Sequence, residues 1–257
     1  MNEFHAGGIQ RVRLADLFLV FSFCLSFSCA LDAGPGKSTL VGVVTWKGTP
    51  GKPKPLDLSK DPGCAKMRLA DPLFSESVVA GPGGTLANVV VYISAGDADS
   101  LSAPPVAVTF DVRGCRYTTH VLAVQTGQEI RISNSDPVQH SIHPVAKVNR
   151  EWNHIQPPGT PPFSYSYEKE EFIPVKCNIH PWEQAYFAIL HTGHFSVTAE
   201  NGLFRLQDLP AGKYHLTAWH EWLGTLSQEV TLAEGETRSA FFAFPAQPID
   251  TPGNATH

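Results

Sequence analysis

The sequence of 257 residues has no surplus of positive charge and only two methionines. Its 19 Lys and Arg against 24 Asp and Glu give a formal net charge of -5, so the composition does not favour nucleic-acid binding. It also has no Gly-x-Ser-x-Gly elbow, no Walker loop, no dinucleotide fingerprint and no His-Glu-x-x-His motif. These absences argue against the common hydrolase and nucleotide-dependent enzyme classes.

Long amphipathic helices are also missing, because no segment of helical period exceeds about two turns. Beyond residue 37 hydrophobic residues alternate instead, as in STLVGVVTW, VAVTFDV and HVLAVQTGQEIRISN, and 21 Gly and 21 Pro favour turns. Residues 149–171, rich in proline and aromatic residues, are predicted to form an ordered loop. We therefore predict an all-β protein built from antiparallel sandwiches.

Residues 1–30 have the pattern of an export signal peptide. Arg11 and Arg13 precede the apolar run LADLFLVFSFCLSFSCA, and the small residues Ser28 and Ala30 are spaced for cleavage after Ala30. The run is shorter than the roughly 20 apolar residues of a membrane span. We therefore predict a periplasmic or secreted protein with no transmembrane span after cleavage. A lipid anchor at Cys29 is an alternative.

Three cysteines remain after removal of this signal: Cys64, Cys115 and Cys177. Thiols tend to pair in an oxidising compartment, and an odd number leaves one over. The economical arrangement is a disulfide between Cys64 and Cys115, with Cys177 held as a thiolate by a metal. A competing arrangement places Cys115 and His120 in a metal site of their own.

The stretch VKCNIHPWEQAYF, residues 175–187, carries the strongest chemical signal. It places Cys177, His180 and Glu183 at three-residue steps in a loop predicted to join two strands. A further imidazole, His140, lies upstream in NSDPVQHSIH. Two imidazoles and one thiolate form the soft ligand set that binds copper in electron-transfer sites. We therefore predict that His140, Cys177 and His180 bind copper.

These residues resemble the copper motif of the cupredoxin family, the blue-copper proteins such as amicyanin and plastocyanin. Cys177, His180 and His140 match the family's ligands, and Ser141 stands where the family often has asparagine. The segment QTGQEIRISNSDPVQH is similar to the family's strand into the upstream histidine. The resemblance is good over residues 116–190 and looser over residues 38–114. It implies a Greek-key β-sandwich, one-electron transfer to a redox protein partner, and an exposed His180 ring edge.

Glu183 stands where amicyanin-like sites carry an axial methionine. Met67 is the only methionine left after signal removal, so a thioether ligand is not readily available. A carboxylate favours Cu(II), so axial Glu183 predicts a low reduction potential and a red or green centre, similar to the nitrosocyanin type. Other arrangements stay open: an unligated Glu183, an axial Gln184, His143 as a reserve ligand, a closed zinc site, or no metal.

The segment AENGLFRLQDLPAGKYHLTAWHE has Asn-Gly and Ala-Gly turns between alternating strands. It resembles the carboxypeptidase regulatory-like, or transthyretin-like, domain, whose fold group is carbohydrate-binding-like. The resemblance implies a small, immunoglobulin-like second sandwich; it transfers no binding site, and a glycan or a protein is its candidate partner. The predicted order is a cupredoxin-like domain at 31–191, this module at 192–246 and a flexible tail at 247–257. His215, His220 and Glu221 are either a second metal patch or, more simply, a solvated strand face.

Together these features predict an exported protein of electron transfer or copper handling rather than an enzyme. Turnover of a small molecule would require an open coordination position on the copper, which a labile Glu183 would provide. The alternative is a non-redox binding or structural module whose metal site is degenerate or holds zinc.

Overall fold

The computed structural model describes residues 36–52, 54–96 and 106–246. The predicted export signal and the predicted tail lie outside the described residues. Within the described part regular structure is nearly all β, which confirms the predicted class: fifteen strands, one short α-helix and one 3-10 segment. Neither helical segment is long and apolar enough to cross a membrane.

Most strands are short and separated by turns. They are β1 (Ser38–Trp46), β2 (Val90–Gly96), β3 (Val108–Val112), β4 (Val121–Gln125), β5 (Ile130–Asn134), β6 (His140–Pro144), β7 (His154–Gln156), β8 (Phe163–Tyr165), β9 (Glu171–Lys176), β10 (Gln184–Leu190), β11 (Phe195–Val197), β12 (Leu203–Leu209), β13 (Gly212–His220), β14 (Gly224–Leu232) and β15 (Thr237–Phe244). The helix α1 spans Pro62–Met67, and the 3-10 segment spans Pro82–Gly84.

One sandwich, here called the central sandwich, joins the sheet β4-β10-β9-β6-β7 to the sheet β3-β5-β8. Alternate residues of both sheets point into one core, which includes Phe110, Ile132, Ile142, Ile173 and Phe187. The pairs β4–β10 and β3–β5 are parallel, whereas the sequence predicted antiparallel sheets. The difference arises because these partners are not consecutive strands, and only consecutive strands are constrained to pair as hairpins.

The second, here called the terminal sandwich, joins the sheet β12-β1-β15 to the sheet β11-β2-β13-β14. Its core includes Leu40, Trp46, Leu216 and Phe244. β1 lies between β12 and β15, and every second residue of β1 is buried. Gly42 sits at the centre of β1, where an added Cβ would overlap the backbone of Ala240.

The strand pairing crosses the boundary predicted between residues 191 and 192. β1 pairs with β12 and β15, and β2 pairs with β11 and β13, so two N-terminal strands complete the sandwich that the sequence assigned to residues 192–246. A division into contiguous domains therefore does not describe the sheets. The physical reason is that β12 and β15 need a strand between them, and β1 supplies it from far away in sequence.

Candidate metal centre

Three adjacent strands bring the predicted ligands together at one end of the central sandwich. β9 pairs with β6 on one side and with β10 on the other. His140 begins β6, Cys177 follows β9, and Glu183 precedes β10. The loop between β9 and β10 is closed by two backbone hydrogen bonds: Glu183 N–H donates to His180 O at 3.0 Å, and Cys177 N–H donates to Glu183 O at 3.2 Å. Sheet pairing and a tight turn thus fix all four positions.

The four side chains form a buried cluster. Nitrogen, sulfur and oxygen atoms of His140, Cys177, His180 and Glu183 all lie within 4.8 Å of one another. The Nδ1 atoms of the two histidines are 3.1 Å apart, and Cys177 Sγ lies 3.8 Å from His180 Nδ1. No member is more than 4% exposed. The structure therefore brings together the whole predicted set, with its fourth member, Glu183, pointing inward rather than to solvent.

The position of Glu183 Oε1 indicates whether a cation fits between the four side chains. It lies 2.9 Å from His140 Nδ1 and 3.1 Å from His180 Nδ1 without the alignment of a hydrogen bond, whereas Oε2 of the same carboxylate lies 3.1 Å from His140 Nδ1 within hydrogen-bond geometry. Such a buried oxygen is costly inside a protein unless a cation, either a protonated imidazole or a metal ion, compensates its charge. A tetrahedral cation with these nitrogen, oxygen and sulfur ligands would place its donors roughly 3.3–3.6 Å apart. The spacing of the cluster is close to this, so the residues fit a metal ion.

Hydrogen bonds converge on the sulfur of Cys177. The N–H groups of Ser141 and His180 donate to Sγ at 3.4 and 3.3 Å, and Ser141 Oγ lies 3.7 Å from it. Burial raises the pKa of Cys177, but its hydrogen bonds to the two histidines lower that pKa to about 7. The environment therefore favours the thiolate, which is the form that binds a metal.

Opposite charges stabilise one another in this cluster: those of the two imidazoles, and those of the Cys177 thiolate and the Glu183 carboxylate. Burial opposes a charge on His140, but hydrogen bonds to the surrounding thiolate and carboxylates raise its pKa to about 11. The same balance raises the pKa of His180 to about 10. Burial raises the pKa of Glu183, and its bonds to both histidines outweigh this and lower it. Because the metal-binding forms of histidine and cysteine are deprotonated, metal binding would release protons from this cluster.

Two aspartates that were not predicted from the sequence contact the Nε2 atoms of the two histidines. Asp136 Oδ2 lies 3.1 Å from His140 Nε2, and Asp61 Oδ2 lies 3.1 Å from His180 Nε2. Each carboxylate accepts the Nε2–H and leaves Nδ1 free to face the cluster. Asp136 had a local signal, because it precedes His140 by four residues in SDPVQH. Asp61 had none, since it comes from a remote loop.

A cap made of residues 55–74 covers His180. Its ends meet in a bridge between Pro55 and Phe74, and it contains α1. Cys64 of α1 forms a disulfide with Cys115 and lies 4.0 Å from His180 Nε2. His180 is only 1% exposed. The resemblance implied an exposed ring edge for this histidine, and that expectation is wrong for this chain because the cap occupies the space.

Trp182, in the loop between β9 and β10, contacts both His180 and the disulfide region. Its ring stacks on His180 with centroids 4.8 Å apart, and its Nε1–H donates to Cys115 O at 3.0 Å. The tryptophan thus links the metal loop to the disulfide. It shields the histidine ring from water.

The reserve ligands lie outside the cluster. Gln184 is exposed at the start of β10. The ring nitrogens of His143 lie 3.0 Å from Asn178 Oδ1 and 2.7 Å from Glu151 Oε1, away from Cys177. Neither side chain is therefore placed to bind a metal ion at the cluster.

The two other metal groups suggested by the sequence do not assemble among the described residues. Cys115 is in the disulfide, and His120 pairs instead with Glu221 in a buried contact. His215 is exposed on β13, whereas His220 is buried and accepts the N–H groups of two following residues through Nδ1. The alternatives of a Cys115–His120 site and a His215, His220 and Glu221 patch are therefore wrong.

Comparisons with known proteins give partial likenesses. No family model and no curated protein matches the chain. A Cu-containing nitrite reductase from Thermus scotoductus SA-01 is 15% identical with a TM-score of 0.32, over 37% of this chain and 25% of that one. A reduced amicyanin mutant is 18% identical with a TM-score of 0.30, over 38% and 97%. A purple cupredoxin from Nitrosopumilus maritimus is 18% identical with a TM-score of 0.27, over 33% and 99%. The chain thus spans about a quarter of the length of the reductase.

Proposed function

We propose that this protein binds one copper ion through His140, Cys177, His180 and Glu183 and transfers single electrons. One observation carries the proposal: four buried donor atoms lie within 4.8 Å of one another, and the inward oxygen of Glu183 has no hydrogen bond. A thiolate and two imidazoles suit both oxidation states of copper. The carboxylate favours the oxidised ion, so we expect a low potential.

The residues around the cluster suit an electron carrier better than a catalyst. The four donors come from a paired strand, a tight loop and their junction, so they resist rearrangement when the charge on the ion changes. The cap excludes water and small molecules from His180, and the remaining donors are equally buried. Copper supplies the exchanged electron, and the protein supplies fixed ligands in a dry site.

Export supports the same proposal. The N-terminal pattern predicts a signal peptide, and the Cys64–Cys115 disulfide is typical of oxidising compartments. We propose the periplasm or the cell exterior as the location, with another redox protein as the electron partner. The transthyretin-like resemblance leaves a glycan or protein partner of the terminal sandwich as a separate proposal.

A structural zinc site is the second candidate function. It is favoured by the closed donor set, because Cys, two His and a carboxylate complete a tetrahedral zinc shell and leave no open position. Zinc would stabilise the fold without any redox chemistry. The two candidates differ in what spectroscopy and electrochemistry would measure.

The test is copper titration of the purified full chain, preceded by metal analysis of protein taken from its exported location. We expect one equivalent of Cu(II) to give an intense visible thiolate-to-copper band that bleaches reversibly on reduction. Cys177→Ser should abolish the band, and His143→Asn, a change just outside the cluster, should keep it. Absence of the band in the wild type, or its survival in Cys177→Ser, would refute copper–thiolate ligation. Zinc in the isolated protein with no redox response would support the second candidate.

A further inference from the structure

The two aspartates behind the histidines share a common support. Asp136 accepts the backbone N–H groups of Gly114 and Cys115 at 2.5 and 2.7 Å. Asp61 caps α1 and accepts the N–H of Cys64 at 2.9 Å. The disulfide then joins Cys64 to Cys115. Each half of one disulfide therefore holds an aspartate in place.

The arrangement closes into a ring of bonds around the metal centre. From His140 it passes through Asp136 to Cys115, across the disulfide to Cys64, and through Asp61 to His180. The Nδ1 atoms of His140 and His180, which face the cluster, complete this closed path and lie 3.1 Å apart. Neither aspartate belongs to the four proposed ligands, and both reach the ligands through the far side of an imidazole.

We propose that Asp61 and Asp136, held by the Cys64–Cys115 disulfide, are positioning residues that orient both histidine ligands and lower the reduction potential of the centre. This inference rests on the proposed copper function. An aspartate that accepts Nε2–H fixes the tautomer in which Nδ1 binds the metal, and its charge makes the imidazole a stronger donor. Stronger donation stabilises Cu(II) more than Cu(I), because the oxidised ion carries the larger charge.

The two aspartates should differ in strength. The Asp136 side chain is 4% exposed, whereas that of Asp61 is 26% exposed. Solvent screens a partly exposed charge more than a buried one. Asp136 therefore sets the larger part of the potential, while Asp61, lying in the cap, also blocks the path from solvent to His180.

The first experiment neutralises each aspartate in the copper-loaded full chain. Asp61→Asn and Asp136→Asn keep the size of the side chain and one acceptor oxygen, but they remove the charge and replace the second oxygen by an amide donor. We expect Asp136→Asn to weaken Cu(II) relative to Cu(I) about tenfold, a rise in potential of about 59 mV, with a smaller rise for Asp61→Asn. Asp57→Asn, an exposed carboxylate of the same cap that contacts only its own turn, is the control and should leave the potential unchanged.

The second experiment separates orientation from charge. Asp61→Ala and Asp136→Ala remove the acceptor altogether, so we expect copper affinity to fall 10- to 100-fold and the electron paramagnetic resonance signal of Cu(II) to broaden. Cys64→Ser combined with Cys115→Ser should shift the same signals in the same direction, because both supports are released together. Thermal unfolding of each metal-free variant monitors the fold, and variants that remain folded at the assay temperature are compared.

The outcomes distinguish this inference from the proposed function. If the wild type gives no thiolate-to-copper band, the proposed function fails and this inference with it. If the wild type gives the band, and both asparagine variants match the Asp57→Asn control in potential, only the positioning role is overturned. An unchanged Cu(II) spectrum in both folded alanine variants would overturn it as well.

Discussion

Replacement of Glu183 by glutamine tests the least conventional part of the proposed centre. Glutamine keeps the size of the side chain and an oxygen atom, but it removes the negative charge. The Glu183 side chain has no exposure, so solvent cannot screen that charge. We therefore expect the change to act directly on the balance between Cu(II) and Cu(I).

The donor atoms lie within 4.8 Å of one another, which limits the distance between the carboxylate and a bound ion. At about 4 Å and an effective dielectric constant of about 20, one unit charge contributes about 4 kcal/mol. Cu(II) and Cu(I) differ by one unit of charge, so this energy is the expected loss of preference for Cu(II). It corresponds to roughly three decades in relative affinity, or about 180 mV. The reduction potential should rise by that amount.

The assay is a spectroelectrochemical titration of wild type, Glu183→Gln and Glu183→Met. Glu183→Met should also raise the potential and move the spectrum toward that of a blue-copper protein. Glu151→Gln removes the same charge from a half-exposed side chain that contacts His143 at the surface. It should change the reduction potential little. A Glu183→Gln potential equal to that of Glu151→Gln would show that the carboxylate does not bind copper.

Three further predictions concern stability. Burial, aided by the charge of His120, lowers the pKa of His220 from 6.5 to about 4. The free energy of unfolding should therefore carry no penalty from this histidine above about pH 6.5. It should fall by roughly 3 kcal/mol in all as the pH decreases toward 4, because the unfolded chain binds the proton more tightly. Denaturant titrations between pH 7 and 4 should show a shallower decline for His220→Asn. Gly42→Ala should cost about 1–3 kcal/mol in the same assay, because its Cβ would meet the backbone of Ala240 in the neighbouring strand β15, whereas exposed Gly51→Ala, with open space around it, should cost little. Copper at 100 times its dissociation constant should raise the unfolding free energy by about 2.7 kcal/mol, and equal unfolding curves with and without copper would contradict binding to the folded state.

The proposed ligand set could be predicted from the sequence because three of its members lie in one short loop. Cys177, His180 and Glu183 share the turn between β9 and β10, and local spacing is visible without knowledge of the fold. The disulfide was also anticipated, since counting cysteines left Cys64 and Cys115 as partners. The burial of His180 was not, because the cap that covers it comes from more than a hundred residues upstream.

The β class and the ligand chemistry proposed for the loop from Cys177 to Glu183 both follow from the amino-acid sequence alone. Both are written in short-range patterns: alternation of apolar residues, turn signals and the spacing of ligands. The folded chain adds what local patterns do not show: β1 and β2 complete the terminal sandwich, β4 and β10 run parallel, and Asp61 contacts His180. These features depend on contacts between distant segments, which are selected by packing of the whole core and leave no local periodicity. The same rule explains why Cys177, His180 and Glu183, which share one loop, were predicted while Asp61 was not.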